Sequence, residues 1–250
     1  MQQLQSFFEK ISSSTHCVAL TGAGVSTLSG IPDFRGKNGL YKQADAQKIF
    51  DIEYFDVDPS FYYKATREFI YNIDEKKPSL VHTALSLLEE QGFLKALITQ
   101  NIDFLHQRAG SKNVIEVHGS PARHYCRRCG YTIDDFAAIA ALVKEGSLPL
   151  CKNCSAVLKP TITFFGESLP PQALNNAQRE AQEADFMLVL GTSLTVYPAA
   201  YLPHITLEHG GKIAIVNADR TSLDQYASFR FDDLAIFSSL QREDQSIFPH

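Results

Sequence analysis

The sequence predicts an α/β protein, a doubly wound parallel sheet carrying a smaller domain made of a helical insertion and a four-cysteine zinc ribbon. Three observations lead to that reading. The runs "CVALTGAG", "KALITQNID", "ADFMLVLGTSL" and "GKIAIVNAD" are apolar and end in small or polar residues, as strands buried on both faces do. Segments of helical spacing lie between them, and alternating strands and helices imply right-handed crossovers within one sheet. Four of the five cysteines form two C-x-x-C pairs in the middle of the chain. The 250 residues, 44% of them hydrophobic, suffice for one large domain with an insertion.

Taken in order, Leu4, Phe7, Phe8 and Ile11 recur at helical spacing and precede the first strand, which runs into a glycine turn and the expected start of a helix. Residues 39–77 are rich in aromatics and read as short helices. In "PSLVHTALSLLEEQG", Pro78 near the start, the apolar face of Val81, Ala84, Leu85 and Leu88, and Gly92 past the end punctuate a helix. A second strand follows in "KALIT" and a third in "VIEV", which His118 ends. Residues 120–159 hold both cysteine pairs. The expected division is 1–38, 78–119 and 160–250 for the large domain, with 39–77 and 120–159 together forming the small one. Ligands of doubly wound sheets bind at the carboxyl ends of the strands, so "TGAG", "TQNID", "GTS" and "VNAD" gather on one edge.

Composition narrows the function. A formal net charge of −5 argues against a chain that lives on nucleic-acid backbones, and no specific nucleic-acid partner is expected. No stretch approaches the roughly 18 apolar residues of a membrane span, and the N-terminus lacks a basic flank with an apolar core, so the expected address is cytoplasmic, without a membrane partner. In a reducing compartment paired cysteines read as metal ligands. Cys126 and Cys129 are separated from Cys151 and Cys154 by 21 residues, Gly130 to Leu150, close to the usual two-knuckle zinc spacing. Four thiolates leave no open coordination position, which predicts one structural zinc per chain. Arg127, Arg128 and Lys152 offset the negative charge of such a centre. Cys17 stands alone, with no role assigned.

The opening loop, "GAGVST", supplies Gly22 and Gly24 but has Thr27 where a dinucleotide fingerprint needs its third glycine; alone it reads equally as a tight turn. It runs on into Asp33, Phe34 and Arg35, too polar and too short a stretch for a core element, which suggests a ligand wall. Gln100, Asn101 and Asp103 follow an apolar strand; read alone, Asn101 or Asp103 is a strand-to-helix cap. His118 is the candidate base because it ends a strand and imidazole titrates near neutrality, although a single histidine is more often structural. His82 and His106 lie in helical patterns and read as structural.

Together these residues resemble the sirtuin family of NAD-dependent protein deacylases, in its compact bacterial and archaeal form. "GAGVS", "GIPDFR", "TQNID", "HG", the two C-x-x-C pairs, "FFGE", "GTS" and "VN" occur in the family's order over nearly the whole chain. The resemblance implies a Rossmann-like NAD-binding domain and a protein lysine deacetylase. NAD is then a co-substrate, and the products are nicotinamide, O-acetyl-ADP-ribose and free lysine, with nicotinamide also a product inhibitor. It places Gly22, Ala23, Gly24 and Thr27 at the pyrophosphate, and Asp33, Phe34 and Arg35 over the nicotinamide end. Gln100, Asn101, Ile102 and Asp103 line the ribose and nicotinamide pocket, Ile102 and Asp103 touching the carboxamide. Gly191, Thr192, Ser193, Asn217, Ala218 and, more loosely, Ala235 hold the adenosine half. His118 takes a ribose proton as general base, with Asn101 beside it as the second catalytic residue. Phe165 and Val196 form the tunnel for the acetyl-lysine stem, and Gly166 and Glu167 belong to the strip that pairs with the peptide. The partners implied are acetylated proteins or peptides.

Sirtuins that prefer succinyl or malonyl lysine carry a Tyr and an Arg three positions apart. Here Tyr62 is followed by Ala65, with Arg67 two positions beyond and about 200° around a helix, so neutral acyl groups are expected. Thr163 departs from the Val or Ile frequent in the family. Other readings are a zinc-ribbon binding module on a nucleotide-sensing domain, a dinucleotide oxidoreductase, and, within the family, mono-ADP-ribosyl transfer.

Overall fold

A computed structural model describes residues 2–33, 39 and 45–241. Its strands are β1 (Cys17–Thr21), β2 (Leu94–Thr99), β3 (Val114–Glu116), β4 (His124–Tyr125), β5 (Thr132–Ile133), β6 (Lys159–Pro160), β7 (Phe186–Leu190), β8 (Lys212–Val216) and β9 (Ala227–Phe231). Its helices are α1 (Gln2–Ser13), α2 (Ile52–Val57), α3 (Pro59–Thr66), α4 (Leu80–Glu90), α5 (Leu105–Arg108), α6 (Phe136–Lys144), α7 (Pro171–Glu183) and α8 (Leu202–Glu208). No helix among the described residues is long and apolar enough to cross a membrane.

The large sheet has the order β3-β2-β1-β7-β8-β9, every pair parallel, as the apolar runs require. Strands β1 and β7 are buried along their full length because helices cover both faces. On one face Val18, Leu20, Val189 and Ile215 meet Ala177 and Ala181 of α7 and Leu202 and Ile205 of α8. On the other, Ala19, Leu188 and Ala214 meet Phe7 of α1, Leu85 of α4 and Phe237. Chain order reverses between β1 and β7, which opens a crevice beyond their carboxyl ends.

Strand β9 escapes the sequence reading: "ASFRF" is short, and it alternates instead of running continuously apolar. Its Phe229 and Phe231 lie on one side of the strand, with ring centroids 5.7 and 5.3 Å from Phe7. The expected helix after β1 is also replaced, by 3-10 turns at Ala23–Val25 and Thr27–Ser29. The loop backbone is committed sideways, Gly22 N donating to Leu190 O (3.0 Å) and Gly24 N to Gly191 O (2.9 Å), so it cannot wind directly into a helix. Strand β3 closes at Glu116, yet Val117 N still donates to Thr99 O, which brings the chain alongside β2 to the residue before His118.

A second, antiparallel sheet of order β5-β4-β6 lies among the cysteine segments. One apolar cluster joins Phe50, Phe55, Tyr62, Tyr63 and Tyr71 of the aromatic segment to Cys126, Ile139, Val143 and Cys151. Ile162 and Phe164 also pack there, carrying the chain back toward the crevice.

Candidate active site

A cleft of about 1000 Å³ opens at the carboxyl edge of the large sheet, over the β1/β7 crossing. Its floor is backbone against backbone. A Cβ on Gly22 would sit 2.8 Å from Gly191 O and 2.7 Å from the Thr192 side chain, and one on Gly24 2.7 Å from Gly191 Cα, so only glycine lets the two loops touch. Gln100 crosses the floor, its Nε2 donating to Thr192 Oγ1 at 3.0 Å.

His118 stands on the wall, beyond β3. Its Nδ1 lies 2.9 Å from Gln100 O, an acceptor, so Nδ1 carries the proton and Nε2 is left as the basic nitrogen. Burial holds its pKa below the ordinary imidazole value, against an upward pull from the Gln100 carbonyl. Gly119, at φ +74°, turns the chain immediately after it, and a Cβ there would lie 2.0 Å from Thr161 O.

Asn101 is held from below. Its Nδ2 donates to Gly22 O and to Ser26 Oγ, both at 3.1 Å, and its backbone N–H donates to Thr99 Oγ1. Ser26 Oγ passes the chain on to Asp103 Oδ2 at 2.6 Å, and Asp103 Oδ1 accepts from Leu105 N. Burial raises the Asp103 carboxyl, with both hydrogen bonds opposing. Beneath lie His82 and His106, ring centroids 4.5 Å apart. Burial pushes His82 down to about 4, and burial with His82 nearby lowers His106 well below its usual value. Both are neutral at physiological pH, so this polar floor carries no imidazolium charge.

Residues 22–198 match the Sir2 family. The chain belongs to that family. An NAD-dependent protein deacetylase of Thermotoga maritima is 45% identical to this Sir2-family chain over 98% of its length and 99% of the relative's. A structure of Sir2 with a p53 peptide and NAD+ superposes with a TM-score of 0.85 at 42% identity, covering 96% of each chain. A histidine-to-alanine Sir2 holding a deacetylated p53 peptide and 3′-O-acetyl ADP ribose gives 0.87 at 44% identity, again over 96% of each chain.

The Sir2-family cleft collects most of the residues singled out from sequence. Gly22, Ala23, Gly24, Thr27 and Asp33 line it with Gln100, Asn101 and Ile102; Gly191, Thr192, Ser193, Asn217 and Ala218 line it as well, Gly191 and Thr192 lying against Gly22 and Gly24; Phe165, Gly166, Glu167, Val196 and His118 complete the lining. Two residues to which the resemblance assigns contacts do not line the cleft. Asp103 is turned under the floor by Ser26 and Leu105 N and is absent from the lining, as is Ala235, whose N–H is occupied by Asp233 Oδ1 at 2.8 Å. Asp232, Asp233 and Leu234 line that end instead. Phe34 and Arg35 lie outside the described residues. Sequence reasoning missed the supports of Asn101, namely Thr21, Ser26, Thr99 and His106, because a buried threonine in an apolar strand looks like any β-branched filler. It also missed Phe50, Ile162 and Phe164 as walls, though their apolar character was plain. Tyr62 does not line the cleft; its hydroxyl faces Tyr71 at 3.3 Å, while Arg67 reaches toward Gly146 at the end of α6.

The four Cys Sγ atoms of this Sir2-family chain all lie within 4.8 Å of one another, Cys126 to Cys154 at 3.4 Å and Cys129 to Cys151 at 3.5 Å. A tetrahedron with Zn–S near 2.3 Å has edges of about 3.8 Å, so the donor set fits zinc without an open position. Each knuckle is closed by its own backbone bonds, Gly130 N to Cys126 O and Ser155 N to Cys151 O. Cys17 is fully buried at the start of β1, and burial raises its thiol pKa far above the usual range.

Proposed function

We propose that this Sir2-family protein is an NAD-dependent protein lysine deacetylase that transfers the acetyl group to ADP-ribose, releasing nicotinamide, O-acetyl-ADP-ribose and deacetylated lysine. One observation carries the reading: a histidine whose Nδ1 is bonded to Gln100 O, leaving Nε2 as the basic nitrogen, set in a cleft over a floor of apposed glycine loops. When bound, NAD supplies an anomeric carbon with nicotinamide as leaving group, to which the acetyl oxygen adds. The chain's part is placement and proton transfer. With Gly22, Gly24, Val25 and Ser26 N–H groups already bonded within the protein, those of Ala23 and Thr27 are left for phosphate oxygens, and Asn217 and Ser193 take the adenosine half. Asn101, both amide protons spent on the floor, presents its carbonyl oxygen toward developing positive charge. His118 Nε2 removes the proton of a ribose hydroxyl. Phe165 and Val196 flank the lysine stem and exclude water.

In the same reading, residues 1–38, 78–119 and 160–250 form the NAD-binding domain, 39–77 and 120–159 the small domain that closes the cleft, and nicotinamide inhibits by reoccupying its pocket. The zinc of Cys126, Cys129, Cys151 and Cys154 supplies cross-linking only. Mass spectrometry of an acetyl-lysine peptide tests the reading: loss of acetyl with NAD and not without it, together with O-acetyl-ADP-ribose, is the expected result. NAD consumption with an unchanged peptide would shift the assignment to ADP-ribosyl transfer.

Acyl choice follows from charge. Among the described residues that line the cleft there is no lysine or arginine, and Arg67 points elsewhere. A succinyl carboxylate would enter unpaired, so kcat/KM for a succinyl-lysine peptide is expected at least about 100-fold below that for acetyl. Comparable rates on the two peptides would overturn this preference.

A further inference from the structure

Lys159 lies behind the cleft wall and does not line the cavity. It sits on β6 with a relative exposure of 1%, an unusual place for an ammonium. All three of its N–H groups have acceptors. Nζ donates to Ile162 O at 2.7 Å, to Pro160 O at 3.2 Å and to Glu167 Oε2 at 2.9 Å. It also lies over the Phe164 ring, 3.9 Å from the centroid. The same Glu167 oxygen accepts Phe164 N at 2.8 Å, and Tyr125 OH donates to Glu167 Oε1 at 3.4 Å. Glu167 N returns to Phe164 O at 3.0 Å, closing a tight turn over Phe164–Glu167. The ammonium therefore joins the strand that leads into this turn to the carboxylate at its end.

What the turn presents is the substrate face. Phe165 is 45% exposed on it, tied to the aromatic segment by Phe165 N to Phe50 O (2.7 Å) and Ile52 N to Phe165 O (3.1 Å). Thr163 N donates to His118 O at 2.9 Å, so the same strip borders the base.

We propose that Lys159 is a positioning residue for the acylated peptide: from behind the wall it holds the Phe164–Glu167 turn in the shape that offers Phe165 and the turn's backbone to substrate. The inference rests on the deacetylase reading above. Without the ammonium, a half-buried carboxylate and two carbonyls lose their donor together, and the turn relaxes away from the shape the peptide needs. The NAD floor, built from Gly22, Gly24 and Gly191, shares none of these bonds.

The test is steady-state kinetics on an acetyl-lysine peptide, beside NAD affinity by calorimetry, for Lys159→Met, Lys159→Arg and Glu167→Gln. In Lys159→Met the peptide KM is expected to rise about tenfold, with kcat within about threefold and NAD affinity within about twofold of the parent. Lys159→Arg, which keeps charge and donors, restores most of the KM. Combining Lys159→Met with Glu167→Gln costs less than the sum of the two. If Lys159→Met does not fold, Lys159→Gln, which keeps donors without the charge, is expected to raise the peptide KM with NAD affinity unchanged, and an unchanged KM there would equally overturn the proposal. An unchanged peptide KM in folded Lys159→Met, or equal losses in peptide and NAD binding, would overturn the proposal. An inactive parent protein would instead remove the deacetylase reading on which it stands.

Discussion

Replacing His118 by alanine is expected to slow deacetylation by about 10³-fold while leaving NAD and acetyl-peptide binding within a few-fold of the parent, the range for removing a general base. The geometry explains the split. His118 contributes one ring nitrogen to chemistry and one hydrogen bond to Gln100 O, whereas the floor under NAD is built from glycines and Asn101. The pH profile carries the same information. The active form of the base is neutral, so activity is present above its pKa and is lost as pH falls through it. Burial places that pKa below the ordinary imidazole value of 6.5. The acid limb of kcat/KM in the parent is therefore expected below pH 6.5, and it disappears with the histidine. An acid limb above pH 7, or a variant as active as the parent, would refute the assignment.

Removing zinc has the second large effect. Apparent binding energies of structural zinc run to about 10–16 kcal/mol, comparable to the whole stability of a typical domain. The antiparallel sheet β5-β4-β6 has strands of two residues each and cannot hold itself. Cys126 and Cys151 are also buried within the cluster that contains Phe50, Tyr62 and Phe164. A Cys151→Ser protein, or one stripped by a chelator, is expected to lose protease protection over residues 120–159 and to lose peptide turnover. The six-stranded sheet, with its own two apolar clusters, stays folded and retains NAD binding. Elemental analysis of the parent should find one zinc per chain. A metal-free protein with unchanged protection and turnover would sink the structural role.

Much of this architecture was legible because its causes are local in sequence. Four buried strands announce themselves by uninterrupted apolar runs, and two C-x-x-C pairs announce a tetrahedral site by spacing. What stayed hidden depends on contacts between distant segments. Strand β9 is a strand because Phe229 and Phe231 reach Phe7, more than 200 residues away in sequence. Asp103 reads alone as a cap, and its Oδ1 does accept Leu105 N, but its second tie, to Ser26, spans 77 positions and leaves no local signal. His82 and His106 read as structural from their helical spacing; their place under Asn101 appears only when α4 and α5 pack behind β1. Lys159 gave no signal at all, since a lysine before a proline is ordinary until burial shows what surrounds it.

The meeting of Gly22, Gly24 and Gly191 has one more consequence. Where Gly22 and Gly24 meet the facing loop, the first loop has no side chain to trim or enlarge, so the span of the nucleotide cradle there is dictated by the spacing of neighbouring strands. Any redesign of this protein toward bulkier acyl groups then has to be confined to the far wall, at Phe165 and Val196, which line the cleft without belonging to the buried core. The cleft thus divides into a half that tolerates no editing and a half on which selectivity can be rewritten.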